Sequence, residues 1–312
     1  MLRLSELTGA KNNATLTPEQ ARVELAHSVA VAAEARRTDV LTRDLSFARE
    51  GERISLRLYS PLGLTSPAPG ILYLHGGGWV TGDLDVYDSF CQHLAGDGRA
   101  HVMSVAYRLA PEHRFPSQVE DCVAAWRWFA TQLDELGIDR SRVCVAGDSA
   151  GGKLATVVAR ETAGDAVKPA LQVLMYPALD ATFSSPSHDL YRDGFFLTRE
   201  SIDWYLMHYA GPSPDRRHPR LSPLLSPLPP PDVPAVIYTA GLDPLRDDGL
   251  RYADRFREAN VAVHQREFGD MVHGFLLMGG LSGAALQSAR AIRESIARVL
   301  HAKDIRRAVR EL

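Results

Sequence analysis

Apolar positions along this chain recur with two periods, and the switch between them outlines its elements. Ile71–Leu74, His101–Tyr107, Arg142–Ala146, Leu171–Tyr176, Ala235–Thr239 and Val261–Phe268 are short apolar runs that read as strands. Between them lie stretches with helical spacing. Gln118–Leu136 sets Val119, Cys122, Val123, Trp126 and Phe129 on one side and stops at Gly137. Ala150–Arg160, Leu250–Ala259 and Ala284–Leu300 read the same way. Strands alternating with helices of this length predict βαβ units: an α/β fold with a mostly parallel central sheet and helices on both faces.

Two stretches depart from the alternation. The first 45 residues are polar and helical, with Thr17 as N-cap, Pro18 at the first helical position and Gln20 three residues after the cap. Val23, Ala26, His27, Ala30 and Val31 recur there at helical spacing and predict its apolar side. Arg43–Ala48 and Ile54–Tyr59 follow as short strands around the turn Glu50-Gly51-Glu52. Residues 181–220 hold Phe183, Tyr191, Phe195, Phe196, Trp204, Tyr205 and Tyr209 and one helical stretch, Ser201–Tyr209, and read as an insertion. The proline-rich piece Ser222–Pro234 leads straight into a strand and reads as a stiff connecting loop.

Composition narrows the class. With 45% hydrophobic and 23% charged residues over 312 positions, disorder, collagen and coiled coil are excluded. A net charge of −3 supplies no electrostatic reason for a nucleic-acid or anionic-membrane partner. Cys91, Cys122 and Cys144 are too scattered for a disulfide framework or a zinc site and read as buried reduced thiols. No apolar leader precedes a cleavage site, and no stretch of about 18 apolar residues occurs, so a soluble cytoplasmic protein is expected.

The candidate chemistry lies at strand ends. Gly147-Asp148-Ser149-Ala150-Gly151 follows the strand Arg142–Ala146 and opens a helix, the setting in which a nucleophilic serine sits on a tight turn. That placement puts Ser149 at a helix N-terminus, where backbone N–H groups stabilise negative charge. His75-Gly76-Gly77-Gly78-Trp79 ends another strand; its glycines free backbone N–H groups to face an oxyanion. His75 precedes the loop and reads as a residue that orients it. No phosphate-binding glycine fingerprint is present.

A serine nucleophile needs a base, and the base an orienting carboxylate. Asp243 lies just beyond the strand Ala235–Thr239, and His273 follows Val261–Phe268. Asp270 is a second candidate for the orienting acid, whereas Asp247 and Asp248 open a helix and read as capping residues. Activity is expected to fall in mild acid, as a histidine base takes up a proton.

These motifs, together with Tyr107-Arg108-Leu109-Ala110-Pro111-Glu112-His113-Arg114-Phe115-Pro116, Asp243-Pro244-Leu245-Arg246-Asp247 and His273-Gly274-Phe275, resemble the hormone-sensitive-lipase-like family of bacterial esterases in the α/β-hydrolase fold. The resemblance implies a Ser149–Asp243–His273 triad and an oxyanion hole from the N–H groups of Gly77, Gly78 and Ala150. It implies a cofactor-free and metal-free serine esterase for short to medium acyl chains. It also implies a cap built from residues 1–45 and 181–220 over a core of 46–180 and 221–312. Trp79, Phe195, Phe196, Trp204 and Tyr205, with Leu197 and Met207, are then candidates to line an acyl pocket. An amidase or deacetylase would use the same constellation. A non-catalytic binding protein, like the plant hormone receptor related to this family, would lack the catalytic histidine that His273 supplies here. The strand Val261–Phe268, if last in the sheet, offers an edge for a homodimer.

Overall fold

The computed structural model describes residues 12–228 and 233–312. The first eleven residues of the predicted cap segment and four residues of the proline-rich stretch therefore lie outside the described residues. The chain runs through helix α1 (Pro18–Ala32), strands β1 (Val40–Arg49), β2 (Glu52–Pro61) and β3 (Ala68–Leu74), α2 (Asp88–Gly98) and β4 (His101–Ala106). There follow α3 (Ser117–Gln132), β5 (Ile138–Asp148), α4 (Ala150–Glu161), β6 (Leu171–Met175), α5 (Ser187–Leu190) and α6 (Arg199–Ala210). The last elements are β7 (Ala235–Leu242), α7 (Arg246–Glu258), β8 (Val263–Val272), α8 (Gly283–Leu300) and α9 (Ile305–Arg310).

The eight strands form one sheet in the order β1-β2-β4-β3-β5-β6-β7-β8. β2 runs antiparallel to β1 and β4, and every other pairing is parallel, as the alternation of elements predicts. Side chains alternate faces along each strand, and the two cores follow that period. Ile71 and Tyr73 of β3 join Val173 of β6 and Val236 of β7 on one face, covered by Phe90 and Leu94 of α2 and Ile292 and Ile296 of α8. Leu72 and Leu74 point to the other face, where Val119, Trp126 and Phe129 of α3, Leu154 of α4 and Phe256 of α7 pack. The cysteines are free and buried, and burial pushes the Cys91, Cys122 and Cys144 thiols up.

Three helices escape the sequence pattern, among them the single-turn α5 inside the insertion. α2 buries Phe90, Cys91, Leu94 and Ala95 at helical spacing, but Gly96 and Gly98 weaken its last turn, and it ends on Arg99 in the left-handed region. α9 is a short C-terminal piece capped by Asp304. In α1 the capping box of Thr17 and Gln20 forms as expected, yet the predicted face does not pack. Val23 is 71% exposed and Val31 49%, whereas Ala21, Val29 and Ala32 are buried. Small and apolar residues occur on both sides of this helix, so periodicity carried no preference between them. Only the groove it covers chose the side.

Candidate active site

Four loops meet at the carboxyl ends of β3, β5, β7 and β8. β5 and β3 are neighbours, so the Gly147–Gly151 turn and the His75–Trp79 loop lie side by side above the sheet. Ser149 is the single residue between β5 and α4, with φ of +53°. That conformation is costly for a residue with a side chain and is held from both flanks. The Ser149 N–H donates to the Met175 carbonyl of β6 at 2.8 Å, and its own carbonyl accepts from Ala178 at 3.2 Å. The turn is also steric. A Cβ on Gly151 would collide with the Leu74 carbonyl oxygen, so β3 and α4 approach here only because that position is glycine.

Ser149 Oγ lies 2.8 Å from His273 Nε2, and His273 Nδ1 lies 2.7 Å from Asp243 Oδ2. The second carboxylate oxygen of Asp243 accepts from the Leu245 N–H at 2.8 Å, and the side chain is fully buried. This arrangement makes Nδ1 the donor to Asp243 and leaves Nε2 to accept from the serine hydroxyl. Asp270, the alternative carboxylate, is exposed on β8 and touches neither group.

The loop after β3 adopts left-handed backbone at Gly77, Gly78 and also Trp79. A Cβ on Gly78 would overlap the Tyr205 ring. Among the described residues the N–H groups of Gly77, Gly78 and Ala150 have no intramolecular acceptor. Asp148 ties this loop to the serine turn. Buried, it accepts from Tyr73 Oη at 2.7 Å, the Gly76 N–H at 2.8 Å and Tyr87 Oη at 3.0 Å. Burial pushes its carboxyl up, and those donors pull it back.

His75 orients the loop, as its position suggested. Its Nδ1 donates to the Gly76 carbonyl at 2.8 Å, and its ring stacks on Tyr107 with centroids 4.2 Å apart. Complete burial lowers its pKa from 6.5 to about 4. The unfolded chain therefore takes up the proton first. His75 contributes its full stability above pH 6.5 and loses it as pH falls toward 4, a loss on the order of 3 kcal/mol. Urea unfolding at pH 7 and pH 4.5 is expected to show a smaller acid loss in His75→Gln than in the parent chain. An equal loss in both would exclude the histidine as its source.

Two segments roof the site. The N-terminal one is pinned by Arg22, whose guanidinium donates to the Val80 and Ala110 carbonyls at 2.9 and 3.0 Å and forks onto Glu112. The other, from Leu179 to Leu221, is anchored by Asp248. Its carboxylate accepts from the Leu179 and Asp180 N–H groups, Ser185 Oγ and His188 Nε2 at 2.8 to 3.2 Å. Asp247 accepts from the Ser187 N–H at 3.0 Å. Both aspartates stand in the first turn of α7 as expected, but their side chains hold the inserted segment rather than cap the helix. Burial raises the Asp248 carboxyl, opposed by His188 and Ser185.

The two roof segments meet where Asn13 Nδ2 donates to Tyr205 Oη at 2.5 Å and Ser201 Oγ to Asn12 Oδ1 at 2.9 Å. Lys153 of α4 is wholly buried beneath them. Its Nζ donates to Tyr209 Oη at 2.6 Å and stands 4.5 Å over the Trp79 ring. Burial pushes this amine well below the ordinary lysine range, while the facing rings favour its charged form.

A family model described as the alpha/beta hydrolase fold matches residues 71–277, a span that holds every loop of this site. The chain belongs to that family. Its motif-level resemblance to hormone-sensitive-lipase-like esterases is borne out by its relatives. It is 40% identical over 272 residues to an ethyl acetate hydrolase of Pseudomonas putida, covering 85% of each chain. It is 41% identical over 268 residues to the carboxylic ester hydrolase LipN of Mycobacterium tuberculosis, covering 82% of this chain and 71% of LipN. Among solved structures, it resembles an ester hydrolase from the metagenome of Lake Arreo with a TM-score of 0.86 and 34% identity, covering 96% of this chain and 95% of that one.

In this α/β-hydrolase a cavity of about 430 Å³ opens on Ser149 and His273. Of the residues considered for an acyl pocket, Trp79, Phe196, Leu197 and Tyr205 line it. Phe195 and Trp204 do not. Phe195 packs edge-on against Tyr191, Trp204 against Tyr205 and His208, and Met207 is exposed. The wall that sequence reasoning missed comes from α1, where Glu24, Leu25, Ser28, Val29 and Ala32 face the cavity. The only signal was a second, weaker repeat at Ala21, Leu25, Ser28 and Ala32. Among the described residues no group of three His, Cys, Asp or Glu side chains could hold a metal, and no helix is long and apolar enough to cross a membrane.

Proposed function

We propose that this chain is a serine carboxylesterase that hydrolyses short- to medium-chain acyl esters through an acyl-enzyme intermediate. The observation that carries this reading is the Ser149–His273–Asp243 relay opening on a largely apolar cavity. Ser149 Oγ attacks the ester carbonyl while His273 Nε2 takes its proton. Asp243 holds the tautomer and stabilises the imidazolium. The oxyanion forms against the free N–H groups of Gly77, Gly78 and Ala150, which need no reorganisation as charge develops. His273 then protonates the leaving alkoxide, and water activated by the same nitrogen releases the acid.

In this reading residues 1–45 and 181–220 act as the cap and the remainder as the catalytic core. The cavity volume suits a ligand of modest size, near the lower end of the usual range for small-molecule sites. Purified protein is expected to release p-nitrophenol from p-nitrophenyl butyrate at least about 100-fold faster than p-nitroaniline from the matching anilide, because an amide is the poorer electrophile with the poorer leaving group. Faster anilide cleavage would reassign the chain as an amidase.

A further inference from the structure

The wall that α1 contributes is chemically unlike the rest of the cavity. Glu24 and Ser28 are one helical turn apart and face the same way, between Leu25, Val29 and Ala32. Glu24 is half-buried and, among the described residues, makes no ion pair and no side-chain hydrogen bond. The Ser28 hydroxyl oxygen is buried without a hydrogen-bond partner. A carboxylate and a hydroxyl left unsatisfied against an apolar cavity are both acceptors for the same kind of group.

The charges around the cavity point the same way. Among the described lining residues none is lysine or arginine. The other two lining carboxylates are already satisfied. Asp148 has its three donors, and Asp180 accepts from the backbone and hydroxyls of Thr182 and Ser184. Lys153 beneath the roof is held by Tyr209 Oη and the Trp79 ring, and three arginines of the roof segments are turned elsewhere. Arg22 is engaged by Glu112, and Arg199 and Arg216 stack on the Phe183 ring and pair with Asp203. No fixed positive charge therefore answers Glu24.

We propose that this pocket selects esters that carry an ammonium group, with Glu24 supplying the countercharge and Ser28 Oγ a second acceptor. This rests on the esterase reading and adds a substrate class to it. A primary ammonium supplies three N–H donors, enough to satisfy both side chains at once. Trp79, Tyr205 and Phe196 leave the remainder of the ligand an apolar wall. A carboxylate-bearing ester of the same length is repelled.

The test compares near-isosteric pairs with the charge on either side of the scissile bond. They are p-nitrophenyl 6-aminohexanoate against p-nitrophenyl heptanoate, and 6-aminohexyl butyrate against heptyl butyrate. In one of the pairs, Glu24→Gln is expected to lower the cationic-to-neutral ratio of kcat/KM by about three- to tenfold, mainly through KM, as for a partly solvated ion pair. The parent's ratio should also decline with added salt. Glu24→Lys guards against a variant that merely packs badly, since it should shift preference toward the mono-p-nitrophenyl ester of adipic acid. Ratios unchanged by either substitution in both pairs overturn the proposal while leaving the esterase reading intact, provided the neutral esters are hydrolysed. A parent chain that hydrolyses none of these esters removes both.

Discussion

Replacing Ser149 with alanine is expected to lower p-nitrophenyl butyrate turnover by about 10⁴- to 10⁶-fold while leaving the fold in place. The rate is lost because Oγ is the atom 2.8 Å from His273 Nε2, and among the described residues no other hydroxyl meets that nitrogen. The fold survives because the strained backbone at this position is held by main-chain bonds to Met175 and Ala178, which alanine retains. Alanine at φ of +53° carries much the same backbone strain as serine. Circular dichroism melts of the two proteins should coincide within a few degrees. Undiminished turnover in the variant would falsify the assignment of Ser149 as nucleophile.

Asp243→Asn should cost about 10⁴-fold in kcat, and Asp270→Asn less than about twofold. The carboxylate of Asp243 accepts from His273 Nδ1 and from the Leu245 N–H, and it is sealed from water. An amide there must turn its NH2 toward one of two donors. If it faces the histidine, the proton is forced onto Nε2, and the ring can no longer take one from Ser149. Asp270 points to solvent on β8, where loss of its charge is screened. A crippled Asp270→Asn beside a mild Asp243→Asn would exchange the two roles. The comparison is informative because the two residues are close to the histidine in different senses: Asp270 along the chain, Asp243 only in space.

That contrast shows where sequence reading succeeds. The strand-to-turn transitions after Leu74, Ala146 and Thr239 are legible because each joins a short apolar run to glycine-rich or polar residues, although β5 and β7 run on to Asp148 and Leu242. In a parallel sheet such junctions all fall at one end. Those junctions offer Ser149, His273 and either Asp243 or Asp270 as candidates, and the family resemblance selects Asp243. The cap resisted the same method. Phe195, Phe196, Trp204 and Tyr205 are equally aromatic in sequence, yet two line the cavity and two pack elsewhere. Aromatic character reports a need for burial, not which surface satisfies it. Asp248 was misread for a related reason. A carboxylate in a first helical turn is favoured by the helix dipole wherever it occurs, so the signal of capping is present even when the side chain serves another segment.

The amino-acid sequence by itself determined the order of the strands and of the longer helices other than α2, the α/β class and the serine, histidine and aspartate at strand ends. Those follow from local periodicity and turn chemistry, which act over a few residues. Only the tertiary structure decided that α1 turns Leu25, Ser28 and Val29 inward and Val23 outward, that Lys153 is buried under Tyr209, and that Glu24 faces the cavity unpaired. These depend on which surfaces meet across long stretches of chain. Asn13 reaches Tyr205 across 192 residues, and Arg293 reaches Glu34 across 259. The catalytic constellation is assembled by a sheet whose geometry is general. The wall that α1 contributes is assembled by contacts between segments distant in sequence, which its weak local repeat does not specify.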